Sequence, residues 1–222
     1  MRSLSLATLA LLLVTCGGAP VAAETPTPSP TPTATPAPTA AGAAWTVSDK
    51  SKATVRVREQ LVGVNFPSDA VLTAKGAAGT FELTADGTFT SDSKITFDLT
   101  TLASDQSQRD NFITRDTLQV RQFPKVELVP TRVTGLTLPL PASGDFTFTL
   151  AGRMTIRGTT KDVTFDVKAT RAGGDLTATA TANPTWTFED FGMRPPAVPF
   201  RVVSVNDEIR LVVELVATGP SA

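Results

Sequence analysis

Hydrophobic and polar residues alternate with a period of two through most of the chain beyond Trp45. Val163, Phe165 and Val167 alternate with Asp162, Thr164, Asp166 and Lys168, as Ile95, Phe97 and Leu99 do with Lys94, Thr96 and Asp98. Phe146, Phe148 and Leu150 keep step through Gly152 to Met154 and Ile156, and Ile209, Leu211, Val213 and Leu215 repeat the pattern near the end. Successive side chains of a strand point to opposite faces, so each run puts one face on a core and the other in water. Such one-sided burial predicts antiparallel sheet and not a doubly wound parallel one. Turn residues punctuate the runs at Asp86-Gly87, Gly158-Thr159-Thr160-Lys161 and Gly173-Gly174-Asp175. Strands are predicted over 45–48, 53–62, 71–76, 79–84, 87–91, 93–101, 125–133, 144–157, 162–170, 175–188 and 207–217, some merging to leave about eight to ten. One helix is predicted between Ser107 and Leu118. There Ser107 and Asp110 have capping-box spacing, and Phe112, Ile113 and Leu118 could cover one opening of a barrel. Many evenly spaced strands with short turns form a barrel or a sandwich, and periodicity alone leaves both open.

The first residues follow a different rule. Arg2 precedes an apolar run from Leu4 to Val14, too short to stay across a bilayer and suited to an export signal. The run ends in Leu13-Val14-Thr15-Cys16, which resembles the bacterial lipobox, where a small residue precedes a Cys that is acylated and becomes the mature N-terminus. An ordinary secretory signal cut after Val21-Ala22-Ala23 is the competing reading. Cys16 is the sole cysteine and sits where the apolar run stops, so lipidation at Cys16 is the expectation. Two or more acyl chains anchor a protein stably to a membrane without spanning it. Residues 25–40, a Thr-Pro tract almost free of apolar bulk, cannot bury enough surface to fold and favour extended polyproline II. The expected division is a signal over 1–15, a disordered Pro/Thr-rich linker over 16–44 and one all-β domain over 45–222, exported to the periplasm or outer face of the membrane.

Composition narrows the chemistry. With 20 basic and 21 acidic residues the chain lacks the cationic surplus that nucleic acid demands, so no such partner is expected. There is no His, and Cys16 is the only Cys. Zinc sites and His-dependent nucleophile systems therefore cannot be built, and neither a metal site nor a catalytic residue is expected. Asp110 with Asp116, or Glu189 with Asp190, could be paired on paper as glycosidase carboxylates, but adjacent acids on turns are ordinarily just solvated.

Four segments carry a likeness. They are Ser107-Gln108-Arg109-Asp110-Asn111-Phe112, Phe123-Pro124-Lys125-Val126, the run from Gly152 through Gly158-Thr159-Thr160-Lys161 to Phe165, and Asp190-Phe191-Gly192-Met193. In order and spacing they resemble the YceI-like family, from Trp45 to about Ala217. The resemblance implies an extended antiparallel lipocalin-like barrel with one short helix, exported, holding a long isoprenoid chain in an apolar interior. No other cofactor is implied. An eight-stranded barrel is about wide enough for one slim apolar ligand. The family often carries His near the positions of Gln60 and Phe112, which this chain lacks, and the stretch Val62 to Lys75 reads as longer and more irregular than the family's.

On this reading the inward faces supply Phe81, Leu83, Ile95, Phe97 and Leu99 from the first half of the domain. Phe146, Phe148, Met154, Ile156 and Phe165 follow from the central hairpin, with Trp186 and Phe188 from the late segment. The set suits either a ligand-lined interior or a filled core. Arg109 and Asp110 read as a structural ion pair or helix-start contact, with a head-group role for Arg109 the lesser alternative. Two functions stand: a membrane-anchored carrier of an apolar lipid, or a non-catalytic surface adhesion or structural domain with a filled core.

Overall fold

The structure, a computed structural model, describes residues 43–197 and 201–219. The expected signal, Cys16 and the Thr-Pro tract lie outside the described residues. Nine strands follow in order: β1 (Ala43–Val47), β2 (Lys52–Leu61), β3 (Ser68–Leu83), β4 (Lys94–Ala103), β5 (Lys125–Thr134), β6 (Ser143–Ile156), β7 (Thr159–Ala172), β8 (Asp175–Ala182) and β9 (Val202–Thr218). Every pairing is antiparallel. The sheet runs β1-β3-β2-β9-β8-β7-β6-β5-β4, and β3 pairs with β4 to close it. Both β1 and β2 pair with β3 on one side and β9 on the other, so they fill one position in turn. The result is an up-and-down barrel of eight positions, the size that encloses side chains or one small ligand.

The alternation explains which face went inward. On β7, Val163, Phe165, Val167 and Ala169 are buried while Asp162, Asp166 and Lys168 are exposed. β6 and β7 pair without a break from Ser143↔Ala172 to Ile156↔Thr159. Their turn is Arg157-Gly158, both at positive φ (51° and 77°), the backbone a two-residue hairpin loop demands. The turn therefore sits earlier than its Gly-Thr-Thr-Lys signal implied, and Thr159 to Lys161 belong to β7.

Other expectations shift for identifiable reasons. The predicted strands 71–76 and 79–84 are one strand, β3, which passes from β2 to β1 on one side and pairs with β4 from Thr73 to Thr80 on the other. Its first half pairs Ser68 to Ala74 with Glu59 to Ala53, so the stretch from Val62 to Lys75 is mostly ordered strand and only its first few residues are irregular. At Gly79 (φ 130°) β3 and β4 approach so closely that a Cβ would lie 2.0 Å from the Lys94 carbonyl oxygen. No strand forms over 87–91. Only isolated bridges at Phe89 and Thr88 occur there, because Asp86 accepts hydrogen bonds from the hydroxyl of Thr84 and from the hydroxyl and amide of Thr88. Those donors hold the Asp86 carboxyl down to about 2. The strand expected over 175–188 stops at Ala182, since Pro184 has no N–H to give the ladder. Trp186 rejoins the wall through two hydrogen bonds with Ile209.

The two ends of the barrel differ. At one end lie the loops 62–67 and 104–124 and the segment 183–197; at the other lie β1's start and the loops 84–93, 135–142 and 173–174. The predicted helix is α1 (Ser107–Phe112), continued by a π-helical turn over Ile113–Thr117. The capping box does not form. Asp110 instead accepts from the Ser104 amide (2.9 Å) and hydroxyl (2.6 Å), bracing the loop ahead of the helix. Ile113 and Leu118 do cover the wall there, packing on Ala70, Leu72, Ala74 and Leu102.

Candidate ligand channel

The barrel interior is hollow. A chamber of about 140 Å³ lies under the helix and a second of about 100 Å³ lies deeper, each several times the ~10–15 Å³ that admits one water. They share a wall at Phe97, Leu128 and Val213. The upper chamber shares Val57, Leu72, Ile113 and Phe188 with an open mouth of about 630 Å³. The three spaces follow one another from the mouth to the far end. With β6 and β7 at ~3.3 Å per residue and a tilt of ~40°, the bore is roughly 35 Å long.

All twelve residues expected to face inward line these chambers. Leu99, Met154, Ile156, Trp186 and Phe188 stand around the upper one. Phe81, Leu83, Ile95, Phe146, Phe148 and Phe165 stand around the lower one, and Phe97 serves both. Phe148, Leu150 and Ile156 pack against the buried core on one side and border a chamber on the other, which leaves them half-buried. Other wall residues escaped the sequence reading. Ile209, Leu211 and Val213 belong to an alternation that was recognised, while Phe191 and Met193 sit in a motif that was recognised, and both features carried the signal.

Two motif segments meet to hold the upper wall. Lys161 of β7 forms an ion pair with Asp190, whose second oxygen accepts from the Thr187 amide at 2.8 Å. Lys161, followed by that amide, draws the Asp190 carboxyl below its usual range. The turn Glu189–Phe191 is thereby pinned to β7, with Gly192 in the left-handed region (φ 64°). Phe191 is consequently buried against Trp186, ring centroids 5.2 Å apart, and Trp186 meets Phe165 edge-on at 5.8 Å. This segment replaces the missing upper half of β8. Asp190 thus has a structural partner, as do Asp110 on Ser104 and Asp116 on Arg115.

Charged side chains stand among the apolar residues of the mouth, whereas the chambers are lined by none. Arg109 of α1 donates to Glu59 of β2 and to Asp105, both at 2.5 Å. It is not paired with Asp110. Glu59 is 6% exposed, so this ion pair is nearly dry. The opposite end is capped. Arg171 continues the inward face of β7, is 5% exposed, and lies 5.0 Å over the Trp45 ring. It donates to the carbonyls of Leu140 (3.2 Å), Pro141 (3.1 Å) and Gly173 (3.0 Å), drawing the loop 135–142 across the opening.

An up-and-down antiparallel barrel with an apolar bore, a wide mouth leading into it and no assembled catalytic group among the described residues defines a ligand-holding barrel. The chain belongs to the YceI-like family: the YceI-like domain model matches residues 45–217. It is similar to a UPF0312 protein of Pseudomonas putida strain W619, 34% identical over 143 residues, covering 58% of this chain and 69% of the relative. Three solved structures share the fold. One is a polyisoprenoid binding domain from Saccharophagus degradans (TM-score 0.58, 7% identity, 79% of this chain and 98% of that one). The others are BcnA of Burkholderia cenocepacia (0.55, 19%, 76% and 97%) and a mutant YceI protein of Campylobacter jejuni (0.54, 16%, 73% and 91%).

Proposed function

We propose that the protein is a non-catalytic carrier or sink for a long, slim, apolar molecule of isoprenoid type, held along the barrel bore. The observation that carries this reading is the pair of adjoining chambers walled by apolar side chains and continuous with the mouth. Burying an apolar chain there gains roughly 0.8 kcal/mol per methylene, and a preformed bore spares the cost of ordering a site around it. The polyisoprenoid binding domain from Saccharophagus degradans, alike in fold, supports the choice of ligand class. The protein is exported and anchored through acylated Cys16, a reading supported by the sequence of residues 1–16.

Two experiments test it. Organic extraction of the gently purified protein, followed by mass spectrometry, is expected to release a long-chain isoprenoid near one per protein. A clean extract overturns the carrier and favours a surface adhesion or structural domain. For the anchor, Cys16→Ser is expected to release soluble protein and abolish labelling by radioactive palmitate. Unchanged membrane retention of that variant contradicts the lipoprotein reading.

A further inference from the structure

Exposed apolar residues gather at the mouth. Val62, Val64 and Phe66 lie in the loop between β2 and β3, and Val203 opens β9; Phe66 is 79% and Val203 65% exposed. They are neighbours, because the Val62 amide donates to the Arg201 carbonyl (3.0 Å) and Leu61 pairs with Val202. The loop is held in place. Val64 donates its amide to Leu61, and the Gln60 side chain donates to the Leu61 and Val64 carbonyls. Among the described residues only one other large apolar side chain, Val71, is exposed, at 37%. Exposed apolar residues concentrated on one end, while the outer faces of β6 and β7 stay polar, mark a contact surface.

We propose that this rim docks onto an anionic lipid bilayer and sets the mouth in the interface, so that an apolar chain passes between membrane and bore without crossing water. The proposal rests on the carrier reading and extends it to the route of loading. Continuity is the first argument: Val62 and Val64 also line the mouth that leads to the chambers. Charge is the second. Arg194 and Arg201 are exposed beside that mouth, and neither forms an ion pair among the described residues. Cations flanking inserted apolar side chains suit an interface of anionic lipid. Reach is the third. The chain enters the barrel at the capped end, where Ala43 pairs with Leu83. Residues 17–42 can extend ~90 Å, more than the roughly 35 Å length of the bore, so an anchor at Cys16 permits the mouth to face the same membrane.

A full-length Cys16→Ser, Phe66→Cys protein carrying an environment-sensitive nitrobenzoxadiazole label at position 66 tests this. With vesicles of equal parts phosphatidylglycerol and phosphatidylethanolamine, emission is expected to rise several-fold and shift to the blue, less so at high salt. The same label at Thr147→Cys, on the polar outer face of β6, is expected to stay unchanged. No response at position 66, or an equal response at 147, overturns the proposal. A response that grows with protein concentration without vesicles also overturns it, in favour of a second copy covering the rim. Lipid content, extracted from the same preparation, separates failure of docking from failure of the carrier reading.

Discussion

The capped end and the mouth are built from the same alternation and end up as opposites. At the capped end an inward cation, Arg171, is consumed: three carbonyls and the Trp45 face satisfy it, and it draws a loop shut. At the mouth an inward anion, Glu59, meets Arg109 from a helix that leaves a wide opening beside the pair. A charge satisfied by backbone closes the barrel, whereas a charge satisfied by a side chain on a separate element leaves it open. Rigidity at one end and access at the other are what a one-ended container needs.

The largest effect is expected at the cap. Trp45→Ala removes a ring that is almost fully buried and strips Arg171 of its cation–π partner, so urea unfolding should show a loss of about 3–5 kcal/mol. Next comes the mouth pair. Arg109→Ala leaves Glu59 dry and uncompensated, at a cost of about 3 kcal/mol, and adding Glu59→Gln should recover much of it. If the double variant is no better than the single, the pair is not what braces the mouth.

A smaller, pH-dependent effect belongs to Asp190. Its folded pKa is lowered, so its pair with Lys161 stabilises the protein above about pH 4 and is lost as pH falls through the folded value. Lys161 is partly exposed, which limits the contribution to about 0.5–1 kcal/mol. Asp190→Asn should flatten the acid limb of stability by that amount, and an unaltered limb contradicts the assignment. Smallest is Phe66→Ser on the rim, expected to change stability by no more than about 0.5 kcal/mol because the side chain touches mostly solvent.

How much of this was legible follows from what each feature depends on. The faces of β6 and β7 were readable because alternation fixes them locally, while the two-residue turn at Arg157-Gly158 lies just ahead of the Gly-Thr-Thr-Lys signal read for it. The faces of the inward aromatics followed from that alternation. The step from Leu99 to Leu102, both buried, was not readable. Asp98 binds the Thr100 amide and hydroxyl and Thr101 bonds to Lys75, a bulge set by a strand far back in the chain. The partners Glu59 and Arg109 are separated by β3 and β4, and no period links them. Arg171 fell on the inward face by alternation, yet its sealing role depends on Leu140 and Pro141 arriving from another loop. Hollowness itself lies beyond sequence, since the same aromatics could have met across the bore.

That hollowness is the central claim, and Ile156→Trp tests it most directly. Ile156 borders the upper chamber, so a larger side chain there should enter ligand space without displacing packed neighbours. Ligand-free parent and variant must be compared, since bound lipid raises apparent stability by mass action. The expected result is loss of extractable lipid with a thermal midpoint within about 2 °C of the parent, no more than a ~1 kcal/mol change produces in a domain of this size. Overpacking a solid core costs about 1–3 kcal/mol. A midpoint lowered by about 5 °C or more, with extractable lipid unchanged, would contradict the hollow-barrel account.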